Sequence, residues 1–367
     1  MKVIVIGGGI MGMSIALELR REAEIEVTVL ERSIPGAEAS SAAAGMLAPQ
    51  FEASAPGPMM DLCLLSRMAW RKWAAELQER AGVDVSYLPC GGLQVAFTED
   101  EVHALDAKIA WQTAVGLRAQ LLTGDELKAR EPRLNPKALA AADFPDDHQV
   151  DPRKLMRALA VAASRAGVSF RSGTVRSLVE KDGAITGVDL EGERLEADLV
   201  VLAAGAWSGL VAGAEVDPAR VKPVRGQMME LQLRAPLFSR LLKSASGYVV
   251  PRADGAVLVG SMMEMVGFDK NVTAEGLSKL LAAALQLVPE LAQASLTSTW
   301  AGLRPWTDDQ LPFLGEGPRP GLLLATGHFR NGILLAPITA RLLGQVVRRE
   351  KPSVDLRPFR YRRNTPP

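Results

Sequence analysis

Val3-Ile4-Val5-Ile6-Gly7-Gly8-Gly9-Ile10-Met11-Gly12 says more about the fold than any other segment of the chain. Four consecutive β-branched residues read as a strand buried on both faces, the pattern of a parallel sheet. The glycines come at once as Gly7-x-Gly9-x-x-Gly12. In that spacing the first glycine makes a tight turn, the second admits a phosphate and the third lets a helix pack closely. Beyond the turn, a helix is expected from about Gly12 to Arg21, then a second strand, Val27-Thr28-Val29-Leu30, ending in Glu31. Glu31 stands nineteen residues after Gly12, where an acid accepts hydrogen bonds from a ribose. Strand, turn, helix and strand in about thirty residues are what a dinucleotide-binding fold requires. The motif alone leaves NAD and FAD both open.

A second glycine-framed turn lies at the other end of the chain, Gly327-His328-Phe329-Arg330-Asn331-Gly332-Ile333-Leu334-Leu335-Ala336-Pro337. It too reads as a turn that opens a helix just after an apolar strand. A helix start carries about half a positive charge and several free N–H groups, so it attracts anions. The first turn suits a pyrophosphate. The second suits a group that becomes negative during turnover, as the pyrimidine edge of a flavin does on reduction. Two such sites at opposite ends of one chain point to a flavin dinucleotide stretched across the protein. The extreme amino-terminal placement of the first turn, and a later strand that ends in Gly205, favour FAD in the same way.

The bulk numbers narrow the function classes. The 367 residues suit two intertwined subdomains, since single cores stop growing near ~250–300 residues. Apolar residues make up 48% and charged residues 23%, ordinary for a globular protein. The 42 basic and 42 acidic residues balance, which gives no electrostatic reason to expect nucleic acid or an anionic membrane as partner. Two cysteines outside any Cys-x-x-Cys pair argue against a disulfide framework and for a reducing cytoplasm. No secretory core is present, and no run reaches the ~18 apolar residues of a membrane span. No cluster suggests a metal site.

Along the chain, residues 36–50 are small enough for backbone to approach a bulky ligand, and helical periodicity runs from about Met60 to Ala81. Gly91 to Phe97 reads as a strand outside the first sheet. Asp151-Pro152 starts a helix over Leu155–Ala166. Residues 167–170 and 174–175 read as short strands returning to the dinucleotide domain. Leu199 to Gly205 is another buried parallel-type strand. Residues 225–233 and 248–263 alternate like an antiparallel sheet, with a hairpin at Ala253-Asp254-Gly255. The expected class is therefore α/β with an α+β second domain. A Rossmann-like FAD-binding domain (1–85, 146–220 and 305–367) intertwines with a substrate domain (86–145 and 221–304) built on a mixed or antiparallel sheet with helices.

On the strength of these stretches, the chain resembles the amino-acid oxidase superfamily of FAD enzymes over nearly its whole length. Within it, the chain is similar to the glycine oxidases that feed thiazole synthesis for thiamine. The marks are the first turn with Glu31, Ser41-Ala42-Ala43-Ala44-Gly45-Met46-Leu47, Gly205-Ala206-Trp207-Ser208, Tyr248-Val249-Val250-Pro251-Arg252, Trp300-Ala301-Gly302-Leu303-Arg304-Pro305 and 327–337. The last two are the most specific. The resemblance implies that Ile10, Met11, Glu31, Arg32, Ala44, Gly45 and Met46 line the FAD, with Val175 meeting the adenine through its backbone. It implies that His328, Phe329, Arg330, Asn331, Gly332, Ile333 and Leu334 hold the flavin ring and ribityl chain. It puts Arg304 on the substrate carboxylate with the Tyr248 hydroxyl helping, and Met263 at a pocket position. It further implies oxygen as co-substrate and a homo-oligomer, tetrameric by analogy. Covalent-flavin relatives carry a cysteine in the segment matching Leu303–Thr307; none stands there, so non-covalent FAD is expected.

The chain also departs from the pattern. Trp306 and Asp309-Gln310 replace a frequent glycine and Asp-Gly, and Ser244-Ala245-Ser246-Gly247 lacks a histidine that some members carry. These changes bear on the substrate range. The implied chemistry is oxidative deamination. Arg304 grips both carboxylate oxygens through its planar fork, Cα–H points at flavin N5, and glyoxylate, ammonia and hydrogen peroxide result. No general base is required if the amine enters neutral, and His103 and His148 lie in polar stretches expected to be exposed. His328 reads as a turn histidine without a proton-transfer role, and Cys63 as core. The rivals are an oxidase or dehydrogenase of sarcosine, proline or other D-amino acids, a flavin module acting on a modified tRNA base, and a dinucleotide-sensing binding protein. The last would need no arginine and tyrosine placed for a carboxylate.

Overall fold

The structure, a computed structural model, describes residues 1–363. Lys2–Ile6 forms the expected strand at the centre of a six-stranded sheet. Glu26–Glu31 and then Ser169–Ser172 flank it on one side; Leu199–Leu202, Leu322–Thr326 and Phe313–Glu316 lie on the other. All neighbours are parallel except the last pair. Val3, Val5 and Val201 bury one face of this sheet under helices, while Ile4, Ile6, Val200 and Leu202 bury the other. That is why the strands read as unbroken apolar runs and not as alternating ones.

Four helices cover the first face: Ile10–Leu19, Pro58–Ala81, Pro152–Arg165 and Gly332–Val347. The third starts where Asp151–Pro152 dictates. The Asp151 carboxylate accepts the N–H groups of Arg153 and Lys154 at 2.9 and 3.1 Å, and Pro152 needs no partner at the first helical position. The carboxyl-terminal helix contains Pro337, whose missing N–H removes one helical bond. The same turn is pinned from outside: Ser66 Oγ and Trp70 Nε1 donate to the Leu334 carbonyl at 2.6 and 2.8 Å.

The two short strands expected after residue 166 part into different sheets. Ser169–Ser172 joins the parallel sheet, but Val175–Lys181 does not return to it. It pairs with Ala184–Leu190, which pairs with Glu193–Glu196, in a separate three-stranded antiparallel sheet. Gly173 and the exposed turns at 182–183 and 191–192 let the chain double back within so few residues.

The second large sheet has eight strands from segments 92–144 and 222–306. Its order is Ser295–Trp306, Lys222–Gln232, Ala256–Gly260, Tyr248–Pro251, Leu241–Lys243, Gly92–Ala96, Ala140–Phe144 and Gln120–Thr123. The hairpin at 253–255 joins Tyr248–Pro251 to Ala256–Gly260 as anticipated. Strand register sets these residues opposite one another: Lys243 lies opposite Tyr248, Tyr248 opposite Gly260, and, from far apart in the chain, Val224 opposite Arg304. Among the described residues no helix is long and apolar enough to cross a membrane.

Candidate active site

A cavity of about 550 Å³ runs between the parallel sheet and the eight-stranded sheet. That is within the size of a cofactor cleft. One end is built by the first glycine turn. Gly12 is obligatory there, because a Cβ at 12 would lie 1.9 Å from the Gly7 carbonyl oxygen. The next helix has no side-chain cap on its N-cap Gly9, so its amino end faces the cavity as an anion site. Ser40 Oγ accepts the Ile10 N–H at 2.9 Å and ties segment 39–48 against the turn. Glu31 fixes both sides of the opening: Oε2 accepts the Gly8 N–H at 2.8 Å and Oε1 the Ser33 N–H at 3.0 Å. Both oxygens keep acceptor capacity for ribose hydroxyls. Arg32 pairs with Glu38 at 3.0 Å and lies 4.0 Å over the Trp207 ring.

The other end is built by the eight-stranded sheet. The Arg304 guanidinium crosses Gly226 on the neighbouring strand, so closely that a Cβ at 226 would sit 2.1 Å from Nη1. Arg304 Nη1 donates to the Met262 carbonyl at 3.1 Å, and Nη2 to Ser261 Oγ. The rest of its five N–H groups face the Tyr248 hydroxyl and the cavity. Burial holds this guanidinium below its ordinary pKa range, yet arginine stays charged in any accessible range. The Tyr248 hydroxyl approaches Met228 Sδ at 3.6 Å. Burial pushes its phenol up, so Tyr248 is a hydrogen-bond donor at neutral pH.

Between these ends lies the second glycine turn. Phe329 adopts φ 47°, a conformation costly for a bulky residue. The strained turn delivers the chain into the helix Gly332–Val347, which likewise carries no side-chain cap. His328 is buried with Nε2 3.2 Å from Thr339 Oγ1, and burial lowers its imidazole to about 3. It is neutral at physiological pH, a turn histidine in a structural place.

All the candidate residues named from sequence line this one cavity except two. Gly12 sits beneath the turn, and Leu334 faces the helix Pro58–Ala81 through its carbonyl. Met263 lies at the rim, 54% exposed. Trp306 does not reshape the pocket: it is not among the lining residues and stacks near Lys222 Nζ at 5.2 Å. Residues 244–247 do line it. His103 is exposed, but His148 is half-buried, hydrogen-bonded to Tyr87 Oη at 2.6 Å. Burial, with Arg67 nearby, lowers His148 to about 4. Cys63 is buried.

Sequence reasoning missed several lining residues: Ser261, Gly226, Lys243 and Glu52. Glu52 ends a one-turn helix, Pro49–Glu52, whose Gln50 and Phe51 N–H groups are held by the buried Asp147 carboxylate at 3.3 and 3.1 Å. Its Oε1 lies 3.2 Å from Lys243 Nζ, and its Oε2 lies 3.0 Å from Arg330 Nε. Burial would raise the Glu52 carboxyl, but Lys243 and Arg330 outweigh it and hold it below the ordinary range. No local motif announces such a cluster, because its members come from three distant segments.

The sequence model of the FAD dependent oxidoreductase family (DAO) matches residues 2–346. The chain belongs to that family. FAD is accordingly the cofactor of this oxidoreductase, and the uncapped helix ends, the close-packed Gly7–Gly12 turn and Glu31 fit it. The family member is 37% identical to the glycine oxidase of Geobacillus kaustophilus, over 99% of this chain and 97% of that one. It is 40% identical to the bifunctional protein ThiO/ThiG of a Synechocystis strain, over 97% of this chain. There it spans about half the relative's length, 53%. Among solved structures, the G. kaustophilus glycine oxidase superposes with a TM-score of 0.94 at 36% identity, covering 99% of both chains. The iminodiacetate oxidase of a Chelativorans strain shares the fold at 0.88 and 27% identity, covering 98% of each.

Proposed function

We propose that this FAD-dependent oxidoreductase oxidises glycine. Glycine, oxygen and water give glyoxylate, ammonia and hydrogen peroxide, or the glycine imine passes directly to thiazole synthesis. The observation that carries this is the Arg304–Tyr248 pair, a cation and a neutral donor side by side at one end of the FAD cavity. Similarity to glycine oxidases over the full chain supports the substrate assignment. The similarity to a bifunctional ThiO/ThiG protein supports the use in thiazole synthesis.

Arg304 binds the α-carboxylate through its free N–H groups, which fixes orientation as well as charge. Tyr248, protonated at neutral pH, adds a hydrogen bond and limits rotation. Pinning the carboxylate leaves the amine and Cα directed along the cavity. FAD, when bound, would supply the two-electron acceptor for the Cα–H bond, with oxygen as the final acceptor. His328 lines the cavity, but with its imidazole lowered to about 3 it is too weak a base to take a proton from the substrate amine at neutral pH, and His148 does not line the cavity. No general base is needed if the substrate amine enters unprotonated. The amino end of the helix Gly332–Val347, together with His328 to Ile333, favours negative charge beside it.

The test is anaerobic addition of glycine to the purified yellow protein. Bleaching of the visible flavin band, reversed by air with release of peroxide, is the expected result. Bleaching by sarcosine, proline or a D-amino acid but not by glycine refutes the substrate while retaining the chemistry.

A further inference from the structure

Each member of the carboxylate pair has a companion four residues away in the chain, and both companions grip one short segment of the FAD-lining wall. Trp300 and Arg304 lie on strand Ser295–Trp306, where residues two and four apart share a face. Trp300 Nε1 donates to the Ala42 carbonyl at 3.0 Å. Midway between them, Gly302 lies against the same residue, since a Cβ there would come within 2.6 Å of Ala42 Cβ. Arg252 directly follows strand Tyr248–Pro251 and continues its ladder, its N–H donating to the Ala256 carbonyl at 2.7 Å. Its guanidinium donates through Nη2 to the Ala44 carbonyl at 2.7 Å and through Nη1 to Gln149 Oε1 at 2.5 Å. Gln149 in turn pairs with Met46, and the Val150 N–H donates to the Gly45 carbonyl at 2.9 Å.

These grips decide where the wall presents its donors. In a trans peptide the carbonyl of one residue and the N–H of the next point in opposite directions. Holding the Ala42 and Ala44 carbonyls against the substrate sheet therefore turns the Ala43 and Gly45 N–H groups away from that sheet. Among the described residues the Ala44 and Gly45 N–H groups have no acceptor. Ala43, Ala44 and Gly45 all line the cavity. Gly45 can follow this path only as glycine, with φ 83° and a Cβ position 2.0 Å from the Val150 carbonyl oxygen. The wall thus offers FAD a short run of backbone donors whose aim is set by two side chains of the substrate sheet.

We propose that Arg252 and Trp300 are positioning residues that fix the FAD-lining segment 42–45 relative to Arg304 and Tyr248, and so set how a bound substrate meets the cofactor. This rests on the assignment of the substrate carboxylate to Arg304. Neither companion lines the cavity. One strand carries both Arg304 and Trp300, and the strand of Tyr248 runs straight into Arg252. Each strand therefore touches the substrate at one point and the cofactor wall at another. Losing a grip lets the wall drift while the carboxylate pair stays in place.

The experiment compares the wild-type holoenzyme with Arg252→Met and Trp300→Phe. Trp300→Phe keeps a ring beside Arg153, which lies 4.9 Å over the indole, and removes only the Nε1 donor. It decides the matter even if Arg252→Met fails to fold. Three quantities are read: FAD fluorescence released on dilution, glycolate binding by perturbation of the visible flavin band, and the limiting rate of anaerobic flavin reduction by glycine. Each variant is expected to hold FAD about twofold to tenfold more weakly, the effect of one misdirected hydrogen bond. Flavin reduction slows by about tenfold or more while glycolate affinity stays within about twofold, because alignment changes and the carboxylate pair does not. Unchanged FAD affinity in a folded variant overturns the proposal whatever the rate does, and an unchanged reduction rate overturns it as well. So does a rate loss matched by lost glycolate affinity, since the substrate end itself has then moved. Arg304→Met tests the underlying assignment: it weakens glycolate binding if Arg304 holds the carboxylate, and intact binding means that assignment has failed instead. The FAD measurement does not depend on it.

Discussion

Gly226→Ala removes nothing and adds one methyl group, yet it is expected to disable the enzyme. The new Cβ would lie 2.1, 2.3 and 2.4 Å from Nη1, Nη2 and Cζ of Arg304, where ordinary contact begins at 3.4 Å. The guanidinium must therefore move by more than 1 Å. The backbone at 226 is not in the left-handed region, so alanine introduces no strain of its own. What yields is the end of one flexible side chain, not a packed core, so stability changes little. Catalysis does not escape. A displacement of roughly 1 Å costs about a hundredfold where orientation carries the rate. Loss of one hydrogen bond to a charged group, about 1.5–3 kcal/mol, gives a similar factor of roughly ten to a hundred. We expect kcat/KM for glycine to fall within that range, with FAD content unchanged and Tm shifted by less than about 2 °C. Oxygen consumption, the visible absorbance ratio and a thermal melt measure these in one preparation. Activity within threefold of wild type would refute the carboxylate role of Arg304, as would a loss accompanied by loss of FAD.

Arg304→Lys is expected to lose about as much as Arg304→Met, at least a hundredfold in kcat/KM, because an ammonium lacks the planar fork and cannot span Met262, Ser261 and a carboxylate together; recovery to a tenth of wild-type activity would count against bidentate binding. Gly12→Ala places a methyl 1.9 Å from a backbone oxygen that cannot swing away, so destabilisation of about 1–3 kcal/mol and colourless protein are expected, read from denaturant melts and absorbance. Acid probes the second glycine turn. His328 is lowered to about 3 by burial, so below the unfolded pKa the unfolded chain binds a proton that the native state refuses. Its effect on stability is absent above about pH 6.5 and grows as pH falls, by about 1.4 kcal/mol per pH unit down to the folded pKa. His328→Gln should therefore flatten the decline between pH 6.5 and 5; parallel curves for the two proteins would contradict a buried neutral imidazole.

The dinucleotide half of this protein was legible from local sequence. Val3–Ile6, the three glycines and Glu31 are contiguous enough that local chemistry dictates one geometry, a buried strand, a turn without side chains and an uncapped helix. The turn at 327–332 could be read for the same reason. Family pattern supplied Arg304 and Tyr248. What surrounds those two residues emerged from the packing of distant segments alone. Gly226 matters because strand Lys222–Gln232 pairs with strand Ser295–Trp306 in a register that lays Arg304 across it. Glu52, Lys243 and Arg330 meet because a one-turn helix, a sheet strand and a glycine turn converge from separate segments. Val175 lines the cavity as expected, but the partner of its strand lay in the next hairpin and could not be read locally. Trp306, conspicuous in the sequence, turned away from the pocket because its strand presents it to Lys222. Strand register and long-range ion pairs are set by contacts between segments far apart in the chain, and no periodicity within a short window records them.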